Sequence, residues 1–330
     1  MQRSSLAGDI GIICDMSDLP NSVPIIDTYA EAFGMWCCRL IVTASDSYWV
    51  KMAAQHATGY GTSIIGCDCE AGVESYLSPD KTPDGRPGVS LLFFAIKSEQ
   101  LAQAVVNRAG QCLMTTPTTA VYDGLNEVTE DEQAKTKRVP LGEYISYFGD
   151  GFETQSEHAG RSGWDIPVME GSFFVQSDMG MRLGVGGGNL LVCGHDQRLT
   201  LHAAKHAVDA VKSMSAQSDG RPGVIMPFPG GIVRCGSKVG SLRDPQMIAS
   251  TNHPFCPTLA HEPDSQLPPG TKTVYELIID GIDLEAVKHA MQLAINRLME
   301  HELVAISAGN YGGKLGRHQI NLRELVNHPS

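Results

Sequence analysis

The hexapeptide DGRPGV occurs twice in this chain, at residues 84–89 and again at 219–224. Asp-Gly and Pro-Gly pairs set the φ values of tight turns, so unrelated turns can converge on these letters. Each copy, however, opens an apolar run: VSLLFFAI at 89–96 after the first and VIMPFP at 224–229 after the second. A turn that feeds a buried strand, used twice, predicts a chain built from two related halves. It also predicts that the two copies occupy comparable turns.

The 330 residues are enough for two domain-sized cores. A hydrophobic fraction of 42% and a charged fraction of 19% suit an ordinary globular protein. The formal charge of −12 argues against a nucleic-acid surface and against a polybasic membrane patch. No apolar run reaches the roughly 18–20 residues of a membrane helix. Asp9, Asp15 and Asp18 interrupt any apolar core of a leader. The expectation is a cytoplasmic protein whose residues 1–24 form a variable arm. Nine scattered cysteines, an odd number, argue against a disulfide framework.

Strand-like runs stand at 39–45, 61–67, 89–96, 173–177, 189–194, 274–281 and 302–309. Between them lie amphipathic stretches. The segment 98–114 repeats apolar residues at Leu101, Val105, Ala109 and Leu113, with Ser98 as a cap. The segment 199–214 places Leu201, Ala204, Val208 and Val211 on one face, and 283–300 opens at the capping residue Asp283. Strands mixed with helices, without a βαβ period, predict α+β architecture. The charged stretch 123–144 belongs on the surface. The expected boundaries are 25–160 for an N-terminal lobe and 161–330 for a C-terminal lobe.

Four glycine-rich stretches stand out: ATGYGTS (57–63), MRLGVGGGNLL (181–191), PFPGGIVRCGSKVGS (227–241) and SAGNYGGKLGRHQI (307–320). Such stretches either turn or cross tightly, or aim backbone N–H groups at an anion. None has the order of a dinucleotide fingerprint or a Walker loop. His202 and His206 stand four apart on a helix, a metal-compatible spacing, but neighbours such as Lys205 favour a solvated face. His253 and Cys256 fall in a Pro-rich loop of the kind that covers a site. Glu276 is the unusual carboxylate. In VYELIID it shares a face with Val274 and Ile278, and a Glu on an apolar strand face is costly unless paired or functional. Burial raises a carboxyl toward neutrality, which suits a general acid or base. Glu153 and Glu170 are the competing carboxylates.

The series TYAEAFGMW (28–36), ATGYG (57–61), KTPDGRPGV (81–89), GQCLMTTPTTA (110–120), FGDGFE (148–153), PVMEGSFF (167–174), PFPGGIVRCGSKVGS, ASTNHPFCP (249–257) and GNYGGKLGRHQINL (309–322) resembles formylmethanofuran:tetrahydromethanopterin formyltransferases. The likeness runs from about residue 25 to 326; the arm and the charged 127–140 segment fall outside it. It implies two associated lobes, each an α/β sandwich with a mainly antiparallel, ferredoxin-like sheet. It implies a homotetramer with no tightly bound cofactor and no catalytic metal, methanofuran and tetrahydromethanopterin being coenzyme substrates. The family's glutamate maps onto Glu276. A formyl carbon attacked by an amine becomes a tetrahedral oxyanion. Backbone at Gly230, Gly231 and Gly312, with Ser237 and Asn310, is expected to meet that charge. Lys238, Lys314 and Arg317 are expected to hold the anionic coenzyme tails. Within the family a stand-alone archaeal enzyme contrasts with a bacterial protein that works in complex with a formylmethanofuran hydrolase. The modest charge leans toward the latter. The competing readings are a non-catalytic pterin-binding subunit of that complex and, on glycine content alone, a nucleotide-binding oxidoreductase.

Overall fold

The computed structural model describes residues 23–125, 136–214, 221–236 and 252–327. The first unit runs β1 (Tyr29–Thr43), α1 (Ser47–Thr58), β2 (Glu70–Leu77), β3 (Gly88–Ala95), α2 (Ser98–Arg108) and β4 (Ala120–Asp123). Its strands pair antiparallel in the order β4-β1-β3-β2. Short additions follow: β5 (Lys137–Val139), α3 (Leu141–Ser146), and a meander of β6 (Thr154–His158), β7 (Arg161–Val168) and β8 (Gly171–Gln176), whose β8 lies parallel to β4.

The second unit repeats the element order. It runs β9 (Met179–Gly194), α4 (Gln197–Lys212), β10 (Val224–Ile225), β11 (Thr273–Gly281), α5 (Leu284–Leu298) and β12 (Ala305–Ser307), then β13 (His318–Asn321) and α6 (Leu322–Asn327). The pairing order β12-β9-β11-β10 matches that of the first unit, again antiparallel. The mixed helix and strand content and the mainly antiparallel pairing agree with the α+β expectation.

The two units exchange strand ends. β1 pairs through Tyr29–Ala32 with β13, then through Phe33–Cys38 with β9, and through Trp36–Thr43 with β3. Ala30 and Ala32 therefore enter the core under α4 and α5, whereas Met179 and Met181 of β9 enter the core under α1 and α2. The chain just ahead of β1 belongs to the same exchange. Val23 is buried, and Ile26 donates its N–H to the Ile306 carbonyl at 2.9 Å. So the expected arm of 1–24 ends two residues too late; of its residues, 1–22 lie outside those described.

Three of the main helices start alike. Asp46, Asp196 and Asp283 sit in extended backbone and accept first-turn N–H groups, satisfying donors that the helix itself cannot. The Ser98 cap does not form: Lys97 holds the cap position and the Ser98 hydroxyl turns to Glu99. Beyond Arg108 that helix widens into one π turn, Ala109–Leu113. On α4 the buried face is Thr200, Ala203, Ala204, Ala207, Val208 and Val211, with Leu201 exposed, one residue out of the expected register. On α5 the buried Val287, Met291, Ile295 and Leu298 each contribute roughly 1.5–3 kcal/mol by leaving water. The 61–67 run is a set of turns, not a strand: the Ser63 carbonyl accepts both the Gly66 and Cys67 N–H groups. MRLGVGGGNLL lies inside β9, where β1 and β11 cross it, and forms no loop. The 123–144 stretch is not all surface, because Leu125, Val139 and Leu141 among its described residues are buried.

The hexapeptides correct the opening expectation. The first copy links β2 to β3; the described part of the second, Arg221–Val224, follows α4 and leads into β10, a different place in the repeated order. Their turns differ too. In the first copy Gly85 takes φ +71° and Gly88 begins a strand, whereas in the second the residue equivalent to Gly88, Gly223, takes φ +77°. The repetition of the units is real in topology, but the shared letters arise from turn chemistry. The Gly223 turn has its own purpose: its N–H reaches Glu74 Oε1 at 2.7 Å. Glu74 also accepts from Arg39 Nε at 2.8 Å, Arg39 Nη2 at 2.6 Å and Ser90 Oγ. One fully buried carboxylate thus joins the two units. Residues 158 and 161 face each other at the turn of the β6–β7 hairpin, so the expected lobe boundary at 160 cuts a paired unit.

Candidate active site

β11 places residues 275, 277 and 279 toward the helices and residues 274, 276, 278 and 280 on the opposite face. Glu276 is 4% exposed on that opposite face, as the alternation predicts. Its backbone exchanges two hydrogen bonds with Val233, of 3.0 and 2.8 Å, so the chain after the PFPGG turn is stitched down beside it. The result is a cleft with Glu276, Val274 and Leu191 as floor. Residues 233–236 form one wall, and Asn252, Phe255 and Cys256 form another. The Pro-rich loop therefore does flank the site. His253 bonds Asp264 at 2.8 Å and Cys256 lies 3.0 Å from the Thr258 hydroxyl.

The glycine loop at 309–316 is built by a second buried carboxylate. Glu31, 1% exposed on β1, accepts from the N–H groups of Tyr311 (2.7 Å) and Gly313 (3.1 Å) through Oε2, and from Gly316 (2.8 Å) and Leu315 through Oε1. Gly312 and Gly313 take φ of +68° and +73°, turning successive N–H groups inward around one anion. Burial pushes the Glu31 carboxyl up, but these donors outweigh it and hold it below the usual range. Asn189 grips the start of the loop, bonding the N–H and carbonyl of Gly309 at 2.6 and 3.2 Å. Tyr311, carried by this loop, is pushed far above the ordinary tyrosine range, first by burial and then by the charges of Glu276 and Glu31. Its hydroxyl stays protonated and feels the carboxylate in the cleft.

The sequence expectations fare unevenly. Glu276 lies in the cleft. Gly230 and Gly231 precede its wall; Gly231, at φ +81°, has its α-carbon against Val208, where a β-carbon would come to 2.9 Å, so it is a packing glycine. Ser237 and Lys238 lie outside the described residues, directly beyond Gly236 of the wall. The Asn310 amide is committed to the Thr28 hydroxyl at 2.7 Å, so it supports the loop. Gly312, Lys314 and Arg317 lie on the same loop, and all three are exposed. Glu153 and Glu170 are turn carboxylates that cap Gly151 and Thr118 backbone N–H groups, away from the cleft lining.

Three residues were missed. Arg234 is an exposed cation in the wall itself, inside a motif already singled out. Glu31 carried the same signal as Glu276, a charge within an apolar strand. Asp280, two positions beyond Ile278, did too: it is fully buried, its Oδ1 accepts from Gly187 at 3.0 Å, and burial together with the Glu70 carboxylate pushes it well above the carboxylate range. Burial raises Glu70 as well, while the neighbouring Asp280 side chain and the Ile64 N–H (2.9 Å) draw it back.

Comparison with known proteins meets this geometry. The family described as Formylmethanofuran-tetrahydromethanopterin formyltransferase matches residues 19–168, and the one described as FTR, proximal lobe, matches 171–325. The formyltransferase of that name from Methanocaldococcus jannaschii is 44% identical over 309 residues, 92% of this chain and 98% of that protein. A component of the formyltransferase/hydrolase complex from Methylorubrum extorquens is 44% identical over 326 residues, 96% of this chain and 100% of that protein. The crystal structure of the formyltransferase/hydrolase complex of Methylorubrum extorquens with methylofuran contains a chain that superposes with a TM-score of 0.82, at 43% identity, covering 93% of this chain and 98% of that one. The formyltransferase from Methanosarcina barkeri gives 0.81 at 40% identity, covering 92% and 98%. With family matches across nearly the whole described chain and relatives at this identity, the chain belongs to the formylmethanofuran–tetrahydromethanopterin formyltransferase family.

Proposed function

We infer that this chain is an N-formyltransferase that moves a formyl group reversibly between methanofuran and tetrahydromethanopterin in one-carbon metabolism. The observation that carries the reading is the buried Glu276 at the floor of an open cleft, in a chain whose relatives bear that activity in their names. A pterin ring nitrogen attacks the formamide carbon; the new N–C bond forms as the carbonyl becomes an oxyanion. The bond to the methanofuran nitrogen then breaks, and the proton lost by the attacking amine is delivered to the departing one. Glu276 accepts that proton and returns it, one carboxyl acting in turn as base and acid. Preorganised donors meet the oxyanion. The Gly312 N–H and the protonated Tyr311 hydroxyl supply them, together with Ser237, which follows Gly236 in the sequence. Arg234, Lys238, Lys314 and Arg317 meet the anionic coenzyme tails.

The same reading takes the two repeated units as associated lobes of ferredoxin-like order, each strand–helix–strand–strand–helix–strand, with the junction after β8. It takes the enzyme as a cytoplasmic homotetramer in which the coenzymes are substrates. Among the described residues no helix is long and apolar enough to cross a membrane. The name of the Methylorubrum extorquens relative favours a second setting, association with formylmethanofuran hydrolase subunits. In that setting the competing role is a non-catalytic pterin-binding subunit. Formyl transfer from formylmethanofuran to tetrahydromethanopterin, measured with the purified chain alone and with hydrolase subunits added, separates the two. Turnover by the chain alone supports catalysis; turnover only when the partner's own catalytic centre is intact assigns the chemistry elsewhere.

A further inference from the structure

Outside the cleft, three imidazoles converge on the far side of the sheet. His202 and His206 stand four apart on α4, and His301 reaches them from the turn after α5. One ligand nitrogen from each lies within 4.8 Å of the others, and His206 Nδ1 is 3.1 Å from His301 Nε2. Ring centroids are 4.0 Å apart for His202 and His206, 4.9 Å for His206 and His301, and 5.8 Å for His202 and His301. The helical spacing alone read as a solvated face. The third histidine, 95 residues further along from His206, changes that reading.

We propose that His202, His206 and His301 form a zinc-class divalent metal site, separate from the formyl-transfer centre, which clips α4 to the α5–β12 turn. Imidazole nitrogens bind zinc at about 2.0–2.1 Å, so the nitrogens of a tetrahedral site lie about 3.3 Å apart. The His206–His301 pair already has nearly that spacing, and the third nitrogen closes by side-chain rotation. The carriers are fixed. Ala203, Ala204 and Ala207 bury the other face of α4, and His301 donates its backbone N–H to Leu298 at 3.0 Å. His202 is exposed and the other two are half-buried, so the fourth position is left to water, the pattern of three protein ligands with one open place. Imidazole-only ligation suits zinc, copper or nickel rather than calcium or magnesium. The helices cover the sheet face opposite Glu276, so the metal takes no part in formyl transfer.

The test uses the full-length chain, stripped with a chelator. Zinc titrated by calorimetry and cobalt(II) followed by its visible absorption should each give one ion per chain. The cobalt spectrum should be tetrahedral, and the thermal midpoint should rise with zinc, because the metal binds the folded chain. His301→Ala should weaken zinc by more than the ~10–100-fold that loss of an outer-shell partner costs, while leaving formyl transfer unchanged. His202→Ala should do the same, and His301→Gln provides a variant that keeps the turn's packing. Stoichiometric binding that survives in the His202→Ala/His301→Ala double variant would place the metal elsewhere and overturn the proposal. Absence of saturable binding to the unaltered chain would overturn it equally.

Discussion

Replacing Glu31 with glutamine tests whether a carboxylate outside the cleft holds the glycine loop at 309–316 in place. Each carboxylate oxygen accepts two backbone N–H groups of residues 311–316. An amide keeps one oxygen and sets its own donors against the other two N–H groups. Hydrogen bonds to a charged group contribute roughly 1.5–3 kcal/mol each, so losing two costs about 3–6 kcal/mol if the loop keeps its shape. Gly312, Gly313 and Lys314 are exposed, so water reaches the freed groups and about a third to a half is recovered, leaving ~2–3 kcal/mol. That corresponds to a roughly 30–150-fold fall in the fraction of chains with an ordered loop. Because Tyr311 and the Gly312 backbone ride on this loop, kcat/KM for formyl transfer should fall about as much. Hydrogen exchange at residues 311–316 should quicken, with little change elsewhere. The pH dependence has a definite sign. The folded pKa of Glu31 is depressed, so its contribution is complete above the ordinary value of ~4.3 and is lost as pH falls through the folded value. The gap between the variant and the parent in loop protection should therefore narrow in acid. Transfer within twofold of the parent, together with unchanged exchange in the loop, would refute the argument.

Glu276→Gln should lower kcat by ~10²–10⁴-fold with little change in KM, while Glu153→Gln and Glu170→Gln retain turnover; a normal rate in Glu276→Gln moves the proton transfer to another group. Asp280 has a raised folded pKa, so the native state is favoured below its ordinary value of ~3.9 and loses that advantage as pH climbs through the raised one. Asp280→Asn should flatten this fall, and a thermal midpoint that drops with pH as steeply as the parent's would contradict the assignment. Arg39→Met leaves the Glu74 charge buried with only the Ser90 and Gly223 donors and should cost about 3–5 kcal/mol in urea unfolding; a loss under about 1 kcal/mol would mean that water reaches the pair.

The legible parts of the sequence were those governed by local rules. Apolar strand-like runs located β3, the end of β9 and β11, and period-two alternation within β11 singled out Glu276, whose predicted face is the observed one. Helix faces and the Asp283 cap were readable because each is decided within a few residues. The failures share one cause, namely partners far away in sequence. Ser98 lost its cap role to a longer-range arrangement in which Lys137 bonds its hydroxyl at 2.8 Å. Asn310 has the chemistry of an oxyanion donor, but Thr28, 282 residues earlier, takes its amide. Glu31 and Asp280 could have been flagged by the same burial argument as Glu276, yet their partners, a glycine loop and Glu70, come from the opposite unit. The repeated hexapeptide misled because turn chemistry recurs wherever a chain must reverse. Gly85 and Gly223 reach positive φ at different places in the same letters.

The exchange of strand ends has a consequence for how the chain reaches its native state. β1 is made early, yet its first residues Tyr29–Ala32 find their partners only in His318–Asn321. The Glu31 carboxylate waits for donors some 280 residues downstream. The first unit can bury its own helices as it emerges from the ribosome, but it holds an unsatisfied strand end and a charged side chain until residues 311–321 have been made. Long-range pairing of this kind slows folding and leaves strand edges open meanwhile. Removing the segment from His318 onward should trap the chain at that stage, with the helices under the first unit formed and the site absent.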